Sequence, residues 1–145
     1  FKKLGANVLL NSGEVYYHGE HRIWIGGVTD PAAHQFGMEP PNVRKAVEGS
    51  HDAHFKLLLS HRPGLAPEAH EVGFHLQLSG HTHGGQFFPW TLVARLFHKY
   101  FLGLLRHENM WIYVGPGTGS WGPPAREGTT PEVTLIVIST SDASL

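Results

Sequence analysis

At 145 residues, with 41% hydrophobic and 16% charged side chains, the chain has the size and composition of one globular domain and excludes a disordered segment. Its formal net charge of -1 gives no overall electrostatic case for nucleic acid or an anionic membrane, and the absence of cysteine excludes disulfides and thiolate zinc sites. Two totals stand out: twelve histidines outnumber the eleven Lys and Arg together, and there are eighteen glycines.

In chain order, residues 8–11 (VLLN), 14–19 (EVYYHG) and 22–27 (RIWIGG) read as strands, the first two joined at Ser12-Gly13. Pro at a helix start and Gly49 beyond its end predict a short helix over 41–48. Residues 55–61 (FKLLLSH) form the continuous apolar run of a doubly covered strand. A second short helix, LAPEAHEV, closes at Gly73 and leads into the strand HLQLSG, residues 75–80. Residues 90–106 have helical periodicity, with Trp90, Val93, Phe97, Tyr100, Phe101 and Leu104 on one face and Arg95, His98, Lys99 and Arg106 on the other. Strands are expected at 110–115 and 132–139, with a Gly/Pro-rich loop between them. Strands alternating with helices predict an α/β fold. No apolar run approaches the ~20 residues needed to span a bilayer. The start at Phe1, with no signal-peptide pattern, leads us to expect a piece of a longer chain.

Two apolar strands run into histidine: FKLLLS into His61, and HLQLSG into His81 and His83. In open α/β sheets functional groups gather at the carboxyl ends of strands, so the three rings converge if these strands are neighbours. In an extended His-Thr-His the alternate Cα atoms lie about 6.5 Å apart, a spacing that suits two metals better than one. Gly84 and Gly85 would let the backbone turn beside the ions. The plain alternative is a turn whose imidazoles bond only to backbone.

LLLSHRP, followed twenty residues later by LSGHTHGGQ, resembles the last two signature blocks of the calcineurin-like metallophosphoesterases, in the bacterial branch that carries GHTHGGQ. The GPGTG loop and PPAREGTTPEVTLIVI resemble the C-terminal portion of the same branch. The resemblance implies that residues 1–145 form the C-terminal half of a layered α-β-β-α sandwich, a mixed sheet with short helices whose N-terminal half is absent. It implies a phosphomonoester or phosphodiester hydrolase acting through metal-bound hydroxide. His61 and His81 would ligate one ion and His83 the other of two divalent metals (Mn, Zn, Fe or Mg). The family's remaining blocks, an Asp-x-His, a Gly-Asp and a Gly-Asn-His-Glu/Asp, are not matched. Asp52-Ala53-His54 precedes its strand instead of following one, and Gly-Asp and Asn-His do not occur. The chain is therefore expected to hold half a site and to be inactive alone.

Arg126 and Gln86 are the candidate substrate contacts; for Arg126 a structural or surface ion pair is the commoner use. Asp30, before Pro31, reads as a turn residue. Expected partners are a phosphate-ester substrate, the missing half of the domain, a second copy of the fragment, and a membrane surface touched through residues 90–106. The resemblance implies a bacterial cytoplasmic or envelope location. Outside this class, the rival is a non-enzymatic module holding one zinc ion through His61, His81 and His83.

Overall fold

A computed structural model describes residues 2–139 and has the mixed sheet with short helices that the sequence predicts. Its elements are β1 (Ser12–His18), β2 (His21–Gly27), α1 (Val43–Ala46), β3 (Phe55–Leu59), α2 (Ala66–Glu71), β4 (Leu76–Ser79), α3 (Trp90–Phe97), β5 (Gly103–His107) and β6 (Met110–Val114). The sheet order is β1-β2-β3-β4-β6-β5. Strands β2, β3, β4 and β6 run parallel, while β1 and β5 pair antiparallel at the two edges.

The core lies where α1 and α2 cover one face. Trp24, Leu58, Phe74 and Ile112 are buried there with Val43, Ala46 and Ala69. The Trp24 indole donates to the Ala46 carbonyl at 2.9 Å, which fixes α1 against β2. Four parallel strands aim their carboxyl ends the same way, so the turns after β2, β3, β4 and β6 gather at one edge.

Three expected elements differ. Residues 8–11 are not a strand, and the hairpin turn is Gly19-Glu20, between β1 and β2. The cause is Asn11, which is buried with φ 51. Its Oδ1 accepts from the backbone of Thr29 and Asn42 and its Nδ2 donates to the Pro40 carbonyl, so the chain is tied to the loops following β2 before it can extend.

The helix expected over 90–106 stops at Phe97, and residues 103–107 form β5. His98 is already extended, Gly103 has φ 82, and β5 completes the sheet by pairing with β6. The tertiary ladder outweighs helical periodicity there, because Leu104 and Leu105 suit either pattern. The strand expected at 132–139 pairs with nothing among the described residues. Its residues 134–138 instead line a cavity with Leu104, Trp111 and Tyr113 on the sheet.

Candidate functional site

The β3–β4 pairing runs past the end of the strands. Ser60 N–H donates to the Leu78 carbonyl at 3.1 Å, and Gly80 N–H donates to the His61 carbonyl at 3.1 Å. This extra rung sets His61 beside His81. His81 Nδ1 lies 3.3 Å from His61 Nε2, with the rings edge to face at 5.1 Å between centroids. The next residue, Arg62, turns back and donates from Nε and Nη2 to the two carboxylate oxygens of Asp30, at 3.2 Å each. Asp30 also accepts from Ala32 N–H at 2.8 Å. Burial pushes the Asp30 carboxyl upward, but the Ala32 and Arg62 hydrogen bonds outweigh it and hold the pKa below the ordinary value. The turn residue of the sequence is thus a pin between the loops that follow β2 and β3.

The His-Thr-His segment is not extended, contrary to expectation. His81 has φ 72, Thr82 is right-handed helical, and His83, Gly84, Gly85 and Gln86 all have positive φ. Thr82 stabilises this compact turn by donating from Oγ1 to the Phe101 carbonyl at 2.7 Å. The glycines also serve a purpose the sequence did not reveal. A Cβ on Gly85 would stand 2.4 Å from the Thr91 Cα, so Gly85 lets the turn press against the first turn of α3.

Although the segment is coiled, its two histidines face different neighbours. His81 faces His61 and His98, and His83 faces Arg126, whose Nη2 is 3.3 Å from His83 Nδ1. Both imidazoles have lowered pKa values. Burial is the main cause at each, followed by the Arg62 charge for His81 and the Arg126 charge for His83. Both rings are therefore held neutral near pH 7, the form with a lone pair free for a metal.

His61, His81 and His83 line one cavity of about 560 Å³ together with Trp90, Phe97, His98 and Trp121. Sequence reasoning missed His98 and Trp121. It placed His98 on the polar face of a continuing helix, but α3 ends one residue earlier, and the extended His98 brings its ring 5.9 Å from His81. Trp121 belongs to a loop with no sequence periodicity. It is placed by Gln86, whose side chain accepts from Trp121 N–H and donates to the Trp121 and Pro123 carbonyls at 2.9–3.0 Å.

The two candidate substrate contacts, Gln86 and Arg126, both bond to the loop that follows β6. Gln86 is fully buried and its amide is used within the protein. Arg126 donates to the Pro116, Gly119 and Thr130 carbonyls and braces the loop after β6 against His83. These bonds go to carbonyls and not to a carboxylate, so the guanidinium has a structural use other than the ion pair expected.

The histidine nitrogens meet part of the geometry a metal ion requires. Two imidazole nitrogens on one tetrahedral zinc, with Zn–N near 2.0–2.1 Å, lie about 3.3 Å apart. The His61–His81 separation of 3.3 Å has that spacing. Among the described residues no group of three or more His, Asp or Glu side chains is close enough to hold an ion. The residues present fit as two ligands of one ion, with His83 directed elsewhere.

No family model matches the chain. It is 34% identical over 137 residues to a Bos taurus protein named "Transmembrane protein with metallophosphoesterase domain", a match covering 91% of this chain and 31% of the relative. A Danio rerio protein of the same name is 36% identical over 146 residues, covering 93% of this chain and 33% of the relative. An "Uncharacterized metallophosphoesterase" of Helicobacter pylori is 38% identical over 104 residues, covering 69% of this chain and 28% of the relative. The chain thus spans about a third of the length of these curated relatives. No helix among the described residues is long and apolar enough to cross a membrane. Identity of 31–38% to proteins of that name supports the metallophosphoesterase family as the family of this chain.

Proposed function

We propose that this chain supplies the histidine wall of a binuclear, metal-dependent phosphoesterase that hydrolyses phosphomonoesters or phosphodiesters. The observation that carries the reading is the approach of His61 Nε2 to His81 Nδ1, 3.3 Å, at the carboxyl ends of adjacent parallel strands. In this reading His61 and His81 share one ion and His83 serves the second. Neutral imidazoles suit Mn, Zn or Fe better than Mg. The ions, when bound, polarise a phosphoryl oxygen and lower the pKa of water.

The chain's own residues do the rest. Burial and nearby cations keep His81 and His83 unprotonated, and the Asp30–Arg62 pair holds the His61 loop in place. Trp90, Phe97 and Trp121 wall the cavity and exclude water from the organic part of an ester. Two dications need carboxylates to offset their charge. We place those ligands in the part of the longer relatives that this chain does not span. Names of two relatives include "transmembrane", and we extend a membrane location to the whole protein as part of the proposal.

A module with one zinc on all three histidines would require His83 to turn from Arg126 toward His61. The experiment that separates the readings is hydrolysis of bis(p-nitrophenyl) phosphate and p-nitrophenyl phosphate by the full-length protein, with and without Mn²⁺ or Zn²⁺. Metal-dependent turnover supports the phosphoesterase; absence of turnover with either ester under every metal condition contradicts it.

A further inference from the structure

The helix beside the cavity has two apolar faces, and only one of them is used inside the protein. Ala94 is buried, and Trp90 and Phe97 border the cavity. Leu92 and Leu96, four residues apart and hence in one row, point outward with 57% and 84% of their surface exposed. Phe88, just before the helix, is 66% exposed, and Phe97, at its end, is 80% exposed. A row of large exposed apolar groups on a single short helix is the surface expected of an interaction site, not of a core helix.

Charge decides what kind of partner fits. Residues 87–107 carry three of the chain's eleven Lys and Arg (Arg95, Lys99 and Arg106) and none of its twelve Asp and Glu. The net charge of -1 conceals this asymmetry along the sequence. Of the acidic residues, Glu127 is tied by its backbone N–H to the Gln86 carbonyl, on the Phe88 side of the helix start and away from Arg95 and Lys99 in sequence. Arg95 lies on α3 between Leu92 and Leu96 in sequence, and Lys99 follows the helix end; both are exposed. Long cationic side chains lay their methylenes along apolar surface and keep the charged head at its polar boundary. Exposed Leu and Phe together with flanking Arg and Lys, and no carboxylate within the segment itself, match the interface between acyl chains and anionic headgroups.

We infer that α3, with Phe88 before it, docks this protein on an anionic lipid surface. Leu92, Leu96, Phe88 and Phe97 enter the acyl boundary, while Arg95 and Lys99 meet the headgroups. Phe97 belongs both to this face and to the cavity wall, so docking sets the cavity mouth at the lipid boundary. The inference stands on the surface of α3 and does not depend on the catalytic reading.

The test uses the absence of cysteine from this chain. Leu96→Cys in the full-length protein, with every cysteine outside these residues replaced by serine, is labelled with an environment-sensitive fluorophore and mixed with vesicles of phosphatidylcholine alone or of phosphatidylcholine with phosphatidylglycerol. This readout reports the helix itself even if another part of the protein is anchored. A blue shift is expected with phosphatidylglycerol vesicles, with a midpoint at least about tenfold lower in lipid than with phosphatidylcholine alone. In the Arg95→Glu/Lys99→Glu background the midpoint moves up by about tenfold or more. No shift with anionic vesicles, or equal shifts with both kinds, overturns the inference. So does a blue shift without lipid that grows with protein concentration, since a second copy then covers the face.

Discussion

His61 and His81, twenty residues apart, place ring nitrogens 3.3 Å from each other because Gly80 adds one backbone hydrogen bond beyond the β3–β4 ladder. Two imidazoles brought together on adjacent strand ends act as a unit, and groups that act as a unit do not add. In the full-length protein, His61→Ala and His81→Ala should each lower kcat/KM for a chromogenic phosphodiester by about 10²-fold or more, and the double variant should be little worse than either. His83→Ala should cause a comparable loss. Strictly additive losses for His61 and His81 would mean that the pair does not serve one centre.

Gly85 should tolerate no side chain. Alanine there takes a positive φ and meets the Thr91 backbone at 2.4 Å, whereas alanine at Gly117, φ 67, meets nothing within 4 Å. Strain alone costs about 1 kcal/mol, so Gly117→Ala should lower stability by about that much, and Gly85→Ala by about 2–4 kcal/mol once α3 is displaced. Urea unfolding midpoints of the two variants make the comparison. Equal midpoints would contradict the role assigned to the close approach.

Gln86→Ala should release Trp121 from the cavity wall. The substitution strands the Trp121 N–H and two carbonyls that the amide now satisfies, a loss of about 2–3 kcal/mol. Protease cleavage within residues 119–125 should rise in parallel. An unchanged cleavage rate would show that the loop is held by other contacts.

His75 should make stability depend on pH. Its Nδ1 accepts from Lys56 N–H at 3.0 Å, which requires an unprotonated nitrogen. Partial burial, then the Lys56 charge, lowers its pKa below 6.5. A group whose pKa is depressed on folding contributes stability that is fully present above its unfolded value and lost as the pH falls through the folded one. Wild-type stability should thus decline as pH drops below about 6.5. His75→Asn keeps an acceptor without a titrating ring and should decline less. The difference between the two curves isolates His75 from the other eleven histidines; identical curves would contradict the assignment.

The parallel strands were legible because their apolar runs end in histidine and glycine, signals that survive without tertiary context. Residues 103–107 were not, since Leu104 and Leu105 fit the helical period as well as the pleat and only pairing with β6 decides between them. The same limit hid Asn11, an ordinary turn residue in sequence whose three backbone partners lie 18 to 31 residues away. At the site, the histidines of HTHGG were visible from spacing, but the turn was not. An extended reading of His81 and His83 ignored the positive φ values that fold the segment against α3. His98 entered the cavity only because α3 stops at Phe97. Gln86 and Arg126 carry donors suited to phosphate, and their capture by the loop after β6 depends on folds of the chain that no local pattern encodes.

The central claim is that His61 and His81 bind one ion of a two-ion site. Metal content of the full-length protein, measured by inductively coupled plasma mass spectrometry after exhaustive dialysis, tests it most directly. The account predicts two divalent ions per chain in the wild type and loss of one in His81→Ala, with the fold intact by circular dichroism. A wild type holding one ion or none, or a His81→Ala variant that retains both, would contradict it.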